Sequence, residues 1–160
     1  MELPDFHIPH AEKISWMVDT RGWATEPVAP RTDIDPPGPG YAYTIGFPEA
    51  FGFPELVVFG LTPAAANGLL ELVADLLGGG TDIPLGVELT GLFDGDQRCL
   101  FAPLSSEVAA QLLPTSVAWR KGRPFSAAQL LWPDRNGFLP NEAGFDRRLL
   151  TAQPVVADLP

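Results

Sequence analysis

One cysteine, Cys99, is all that the 160-residue chain carries, so no disulfide can close within it and no thiolate metal cluster can assemble. That poverty fits a reducing compartment. Positive charge is scarce as well: ten Lys and Arg stand against twenty Asp and Glu, for a net charge of -10. Nucleic-acid affinity comes largely from clustered Lys and Arg that release counterions from phosphates, so this balance argues against a nucleic-acid partner and is compatible with a basic one. Histidine is limited to His7 and His10, with Asp5 and Glu12 near them. Zinc needs at least three protein ligands in good geometry, so these residues read as solvated polar groups, and no metal or other cofactor is expected. Long apolar runs are missing too: no window approaches the about 18 residues that span a bilayer, and MELPDFHIPH has neither a basic n-region nor an apolar h-region. The reading is a cytoplasmic protein with no membrane partner.

What is present organises around Tyr41 to Leu61, YAYTIGFPEAFGFPELVVFGL. Tyr41, Tyr43 and Ile45 alternate with smaller residues, the period-2 pattern of a strand with one buried face. LVVF at 56 to 59 is continuously apolar, which suits a central strand covered on both faces. Thr62 and Pro63 then supply a helix N-cap and a proline for the first turn. Ala66, Leu69, Leu70, Val73, Leu76 and Leu77 form one apolar stripe with Glu71 and Asp75 opposite, and the glycines at 78 to 80 stop the helix. Leu69, Val73 and Leu76 are expected to be buried on the strand at 56 to 59, because so short a connection folds the helix back over it.

Elsewhere the signals are more local. Ile14, Met17 and Val18 share a helical face between Pro9 and Thr20, with Gly22 placed to end the helix. Trp23 to Val28 reads as a short strand in which Pro27 implies an edge or an end. APRTDIDPPGPG at 29 to 40 cannot be regular structure and is either a stiff surface connection or a functional lid. Val87 to Phe93 and Gln97 to Pro103 read as strands around the Asp94-Gly95-Asp96 turn. Ser105 or Ser106 caps a short helix that Pro114 interrupts, a second turn runs from Thr115 to Lys121, and Ala127 to Trp132 is a last strand. The tail at 151 to 160 lacks any period and reads as poorly ordered. These elements predict one α+β domain over residues 1–160, with five or six mostly antiparallel or mixed strands and two to four helices packed on the sheet.

YTIGF at 43 to 47, PELVVFGL at 54 to 61 and QLLWPDRNG at 129 to 137, preceded by Gly22-Trp23, resemble the bacterial DUF4262 family, which is named for its unknown function. The resemblance runs over about residues 10 to 150. It implies a cytosolic single-domain protein and supplies no substrate. Phe47 stands where the family more often has an aliphatic residue, and Phe53 where it often has histidine.

No serine lies in a G-x-S-x-G elbow, no glycine pattern forms a phosphate loop, and Cys99 in RCLFA reads as a small buried hydrophobe. DGD at 94 to 96 lacks the further oxygens a calcium loop needs. Arg120, Lys121 and Arg123, between Trp119 and Phe125, form the one local basic cluster, suited either to an anionic ligand or to a helix C-terminus. Thr44, Glu55, Gln129 and Asp134 interrupt or border apolar strands. Together with Tyr43, Phe47 and Trp132 they are the candidate ligand-binding set, and the competing reading is that they bond loop backbone. Three functional readings result: a non-catalytic module binding a small molecule or a protein, a small enzyme using Glu55 or Asp134 as general acid or base, and an acidic immunity-type partner of a basic toxin.

Overall fold

The computed structural model describes residues 10–158 except Pro36 and Asp94, which leaves Asp5 and His7 outside the described residues. Helix α1 (His10–Arg21) buries Ile14 and half-buries Met17 and Val18. Gly22 ends it by donating its N–H to the Val18 carbonyl at 2.8 Å. Strands β1 (Ala24–Val28), β2 (Tyr41–Ile45) and β3 (Glu55–Phe59) follow as an antiparallel meander with β1 at the sheet edge. An edge tolerates Pro27 because one side of the strand has no ladder to lose. Between β1 and β2 the proline-rich connection is drawn together by two reciprocal backbone bonds of 2.8 Å between Arg31 and Gly38.

Helix α2 (Phe47–Phe51) occupies part of the connection between β2 and β3. At five residues it is too short to show a period, and its proline lies in the first turn, where a missing N–H costs nothing. Helix α3 (Pro63–Gly78) begins as expected, with Thr62 Oγ1 accepting the Ala65 N–H at 3.2 Å. Its rotation differs from the expected one. Ala66, Leu70, Val73 and Ala74 are buried, whereas Leu69 and Leu76 are only half-buried. The apolar stripe is wider than the line of contact, and the small Ala66 and Ala74 let that side of the helix approach the sheet most closely. Glu71 is not isolated: it meets Arg21 Nη1 at 3.1 Å and Asn67 Nδ2 at 3.3 Å.

The second half of the chain supplies β4 (Glu88–Thr90), β5 (Arg98–Pro103), α4 (Ser106–Leu112), α5 (Pro114–Trp119) and β6 (Ala127–Leu131). Ser105 caps α4 by accepting the Val108 N–H at 3.2 Å, and Pro114 starts a new helix where it ends the old one. The sheet order is β1-β2-β3-β6-β5-β4, two antiparallel three-stranded halves joined by the parallel pair β3 and β6. Every residue of β3 and β6 is buried.

On one face Leu56, Val58, Phe101, Ala128 and Leu130 meet α3, with Phe47 of α2 in the same cluster. On the other, Tyr43, Ile45, Val57 and Phe59 meet residues of α1, α4 and α5. Leu100, Ala102 and Leu131 extend that second face and are covered by Val155 and Ala157. Residues 154–157 pack on that face through Val155, Ala157 and bonds to Gln129. They show no period because they are held by glutamine side chains instead of by a strand ladder. Among the described residues no helix is long and apolar enough to cross a membrane.

Candidate functional site

A polar group inside an apolar sheet must find partners or destabilise the fold. Glu55 opens β3 and is fully buried. Its Oε1 accepts the Thr44 hydroxyl at 2.8 Å and the Phe47 N–H at 3.0 Å. Its Oε2 accepts the Gly46 N–H at 2.8 Å and the Ser116 hydroxyl at 3.2 Å, and Arg120 Nη2 lies 2.8 Å away. Gly46 permits this: at φ 110° its missing Cβ would stand 2.8 Å from the Gly22 carbonyl oxygen. Burial pushes the Glu55 pKa above its ordinary value, while Arg120, the Gly46 and Phe47 amides and Thr44 pull it the other way.

Arg120 is itself buried and joins Glu55 to Glu49 of α2 and to Ser116 of α5. The rings of Trp119 and Phe125 flank its guanidinium at 5.0 and 4.8 Å. The cluster ties β2, α2 and β3 to α5, and it takes Arg120 out of the basic run that could have met an anionic ligand. Both Glu55 oxygens are occupied by donors, which is the arrangement of a carboxylate that holds a fold together.

Gln129 and Asp134 each bind backbone. The Gln129 amide donates to the Pro154 carbonyl at 2.6 Å and its Oε1 accepts the Val156 N–H at 2.9 Å. Gln153, which sequence reasoning did not single out, brackets Trp132 in the same way: it accepts the Trp132 N–H at 3.0 Å and donates to the Trp132 carbonyl at 3.1 Å. Asp134 accepts the N–H groups of Asn136, Phe138 and Asp146 at 2.9, 3.0 and 2.9 Å. Burial raises its pKa, but these three donors outweigh that and hold it below its ordinary value.

The candidate residues therefore separate. Thr44, Phe47 and Glu55 come together in the buried cluster. Tyr43 accepts the Thr115 N–H at 3.1 Å, Gln129 secures the C-terminal segment, Asp134 shapes a loop, and Trp132 donates its Nε1–H to the Phe59 carbonyl at 2.9 Å. His10 meets Glu26, its Nε2 lying 2.7 Å from Oε2. Among the described residues no group of three His, Cys, Asp or Glu side chains is placed to hold a metal ion.

Space for a ligand lies next to this framework. A cleft of about 640 Å³ is bounded by the 29–40 connection, the start of β2, the turn between β3 and α3, and the 148–152 segment. Pro30, Pro39, Tyr41, Leu61, Ala66 and Ala152 line it, and the exposed Arg148 side chain, paired with Asp146 at 2.9 Å, stands at its rim. Gly60 forms part of the floor, and its φ of 83° strains any side chain there, whose Cβ would also lie a tight 3.2 Å from both the Ala152 carbonyl oxygen and Trp132 Cζ2. The floor lies just past the carboxyl ends of β3 and β6, where Gly60 and Trp132 follow the two parallel strands. In open α/β sheets ligands settle at the carboxyl ends of the strands, and the one parallel pair here, β3 and β6, presents such an end. The sequence signal for this cleft was the length and stiffness of the 29–40 connection. Its other walls come from segments distant in the chain.

One mixed six-stranded sheet with helices on both faces, and an apolar cleft at the carboxyl ends of its parallel pair, defines an α+β protein of a single layered core. The chain belongs to the family described as Domain of unknown function (DUF4262), which matches residues 17–146. No curated protein and no solved structure matches the chain.

Proposed function

We propose that the chain is a non-catalytic binding module that takes a small, mainly apolar molecule into the cleft beneath the 29–40 connection. The observation that carries this is the combination of volume and lining: about 640 Å³ walled by proline, alanine, leucine and tyrosine, within the range of pockets that enclose small ligands. A proline-stiffened wall loses little freedom when a ligand orders it, which favours binding. The alternative of carboxylate catalysis is less well supported. Glu55 is enclosed by its donors, and Asp134 is committed to three backbone amides.

The test uses 1-anilinonaphthalene-8-sulfonate as an apolar probe. Saturable one-to-one fluorescence enhancement is expected from the folded chain, and Ala152→Trp, which fills the cleft from an exposed position, should abolish it. Leu72→Glu, in the separate groove between α3 and Trp132, should leave it intact. Probe binding that survives Ala152→Trp and is lost in Leu72→Glu would move the site to that groove and refute the proposal.

A further inference from the structure

Four tryptophans are present, and three have evident work in the fold. Trp23 carries the Arg21 guanidinium 4.0 Å above its ring, and Arg21 also pairs with Glu71. Trp119 flanks Arg120, which pairs with Glu49 and Glu55. Trp132 donates to the Phe59 carbonyl. Trp16 is different: it is 67% exposed on α1. At about 100° of rotation per residue it points away from Ile14, the residue that α1 buries. Glu12, one turn before it, and Asp19, one turn after it, lie on the same outward side, and the three line a shallow hollow with Ala11 and Ser15.

The chain thus twice sets an arginine against an aromatic ring and at least one carboxylate, Glu71 for Arg21 and both Glu49 and Glu55 for Arg120, and on α1 it presents the ring and two carboxylates without the arginine. All ten Lys and Arg fall among the described residues, and none of them stacks on Trp16. Among the described residues neither Glu12 nor Asp19 meets a cation at ion-pair distance. Lys13 is the nearest cation in sequence, and against Glu12 and Asp19 it leaves one negative charge in excess.

We infer that the outward face of α1 around Trp16 is a docking surface for an arginine side chain presented by a basic protein partner. A guanidinium is selected over an ammonium because its plane stacks on indole while its fork donates to the flanking carboxylates. The net charge of -10 steers such a partner toward the surface. Tryptophan and arginine are also the side chains that most often carry binding energy at protein interfaces. The surface is carried on a helix that packs on the sheet through Ile14, with Met17 and Val18 against the same cluster.

A nona-arginine peptide titrated into the full chain by calorimetry, beside nona-lysine, tests this. The arginine peptide should bind about two- to five-fold more tightly, and Trp16→Ala should remove that preference with the circular dichroism spectrum unchanged. Glu12→Gln with Asp19→Asn should weaken binding more than the charge-matched pair Asp75→Asn with Glu107→Gln, which lies on α3 and α4. Absence of saturable binding, a preference that survives Trp16→Ala, or equal losses in the two charge-matched pairs would overturn the inference. So would a concentration-dependent dimer lost in Trp16→Ala, because the surface would then belong to a second copy of the chain.

Discussion

On α3, two adjacent leucines meet opposite circumstances. Leu70 is fully buried in the cluster with Leu56 and Val58, while Leu69 is half-buried beside the groove that reaches Trp132. Truncation of Leu70 leaves a cavity that close-packed neighbours cannot collapse into, so Leu70→Ala should cost about 2 to 5 kcal/mol. Leu69→Ala, which the helical stripe alone would rank as the damaging change, should cost about 1 kcal/mol, as a partly solvated site. Urea unfolding of the two variants measures the difference, and equal midpoints would show α3 to be rotated from the position described. Glu71 carries an exposed ion pair with Arg21, of the kind worth about 0 to 1 kcal/mol. Its removal should therefore be mild. Cys99 behaves as the strand RCLFA suggested: burial pushes its thiol up to about 11, so it packs as a small apolar group.

Between elements, the Glu55–Arg120 contact joins the β3 half of the molecule to α5 across 65 positions of sequence, as the residue numbers give. Arg120→Met keeps most of the side-chain volume but strands a buried carboxylate, which should cost about 3 to 5 kcal/mol. Adding Glu55→Gln removes the stranded charge while keeping one acceptor oxygen for either the Gly46 or the Phe47 amide, which bond different carboxylate oxygens, so the double variant should recover part of that loss in denaturant midpoint. If the double variant were no more stable than the single one, Arg120 would act through its contacts with Trp119 and Phe125 instead. This contact also marks the limit of what local patterns disclose. The caps at Thr62 and Ser105, the edge strand with Pro27 and the hairpin around Gly95 were all readable, because each depends on neighbours within a few residues. The strand at 56 to 59 was readable because a strand buried on both faces needs an unbroken apolar run. The polarity of Glu55 was visible in the sequence, but its partner was not: Arg120 read as part of a local basic cluster suited to an anionic ligand or to a helix C-terminus, and it does cap α5. The cleft was hidden for the same reason: Pro30, Ala66 and Ala152 mean nothing together until the sheet order brings them to one end.

For the molecule as a whole, charge sets the response to pH, and two groups of carboxylates act with opposite sign. Arg148 holds Asp146 low and Arg98 holds Glu142 low, while Asp134 is held low by amide donors that outweigh its burial. A group whose folded pKa is depressed stabilises above its unfolded value and loses that contribution as pH falls through the folded one. These three therefore weaken the fold below their ordinary values of 3.8 and 4.5. Glu55, whose pKa burial raises, works the other way: its contribution is fully present below its ordinary 4.5 and is lost as pH rises through the higher folded value. Self-repulsion at net charge -10 adds to this second trend, since it eases as carboxylates take up protons. The urea midpoint should accordingly rise as pH is lowered from neutral toward 4.5 and fall at lower pH. At about 0.5 M salt the Debye length shrinks to a few Å and the repulsion between exposed charges is screened. The part of the rise that survives belongs to buried Glu55, so Glu55→Gln in that salt should show a flat midpoint between neutral pH and 4.5 with the acid limb intact, whereas Asp134→Asn should soften only the acid limb. A Glu55→Gln profile that kept the wild-type rise in high salt would mean that the carboxylate enters the folded state without the cost its burial implies, and that Arg120 and the surrounding donors compensate it completely.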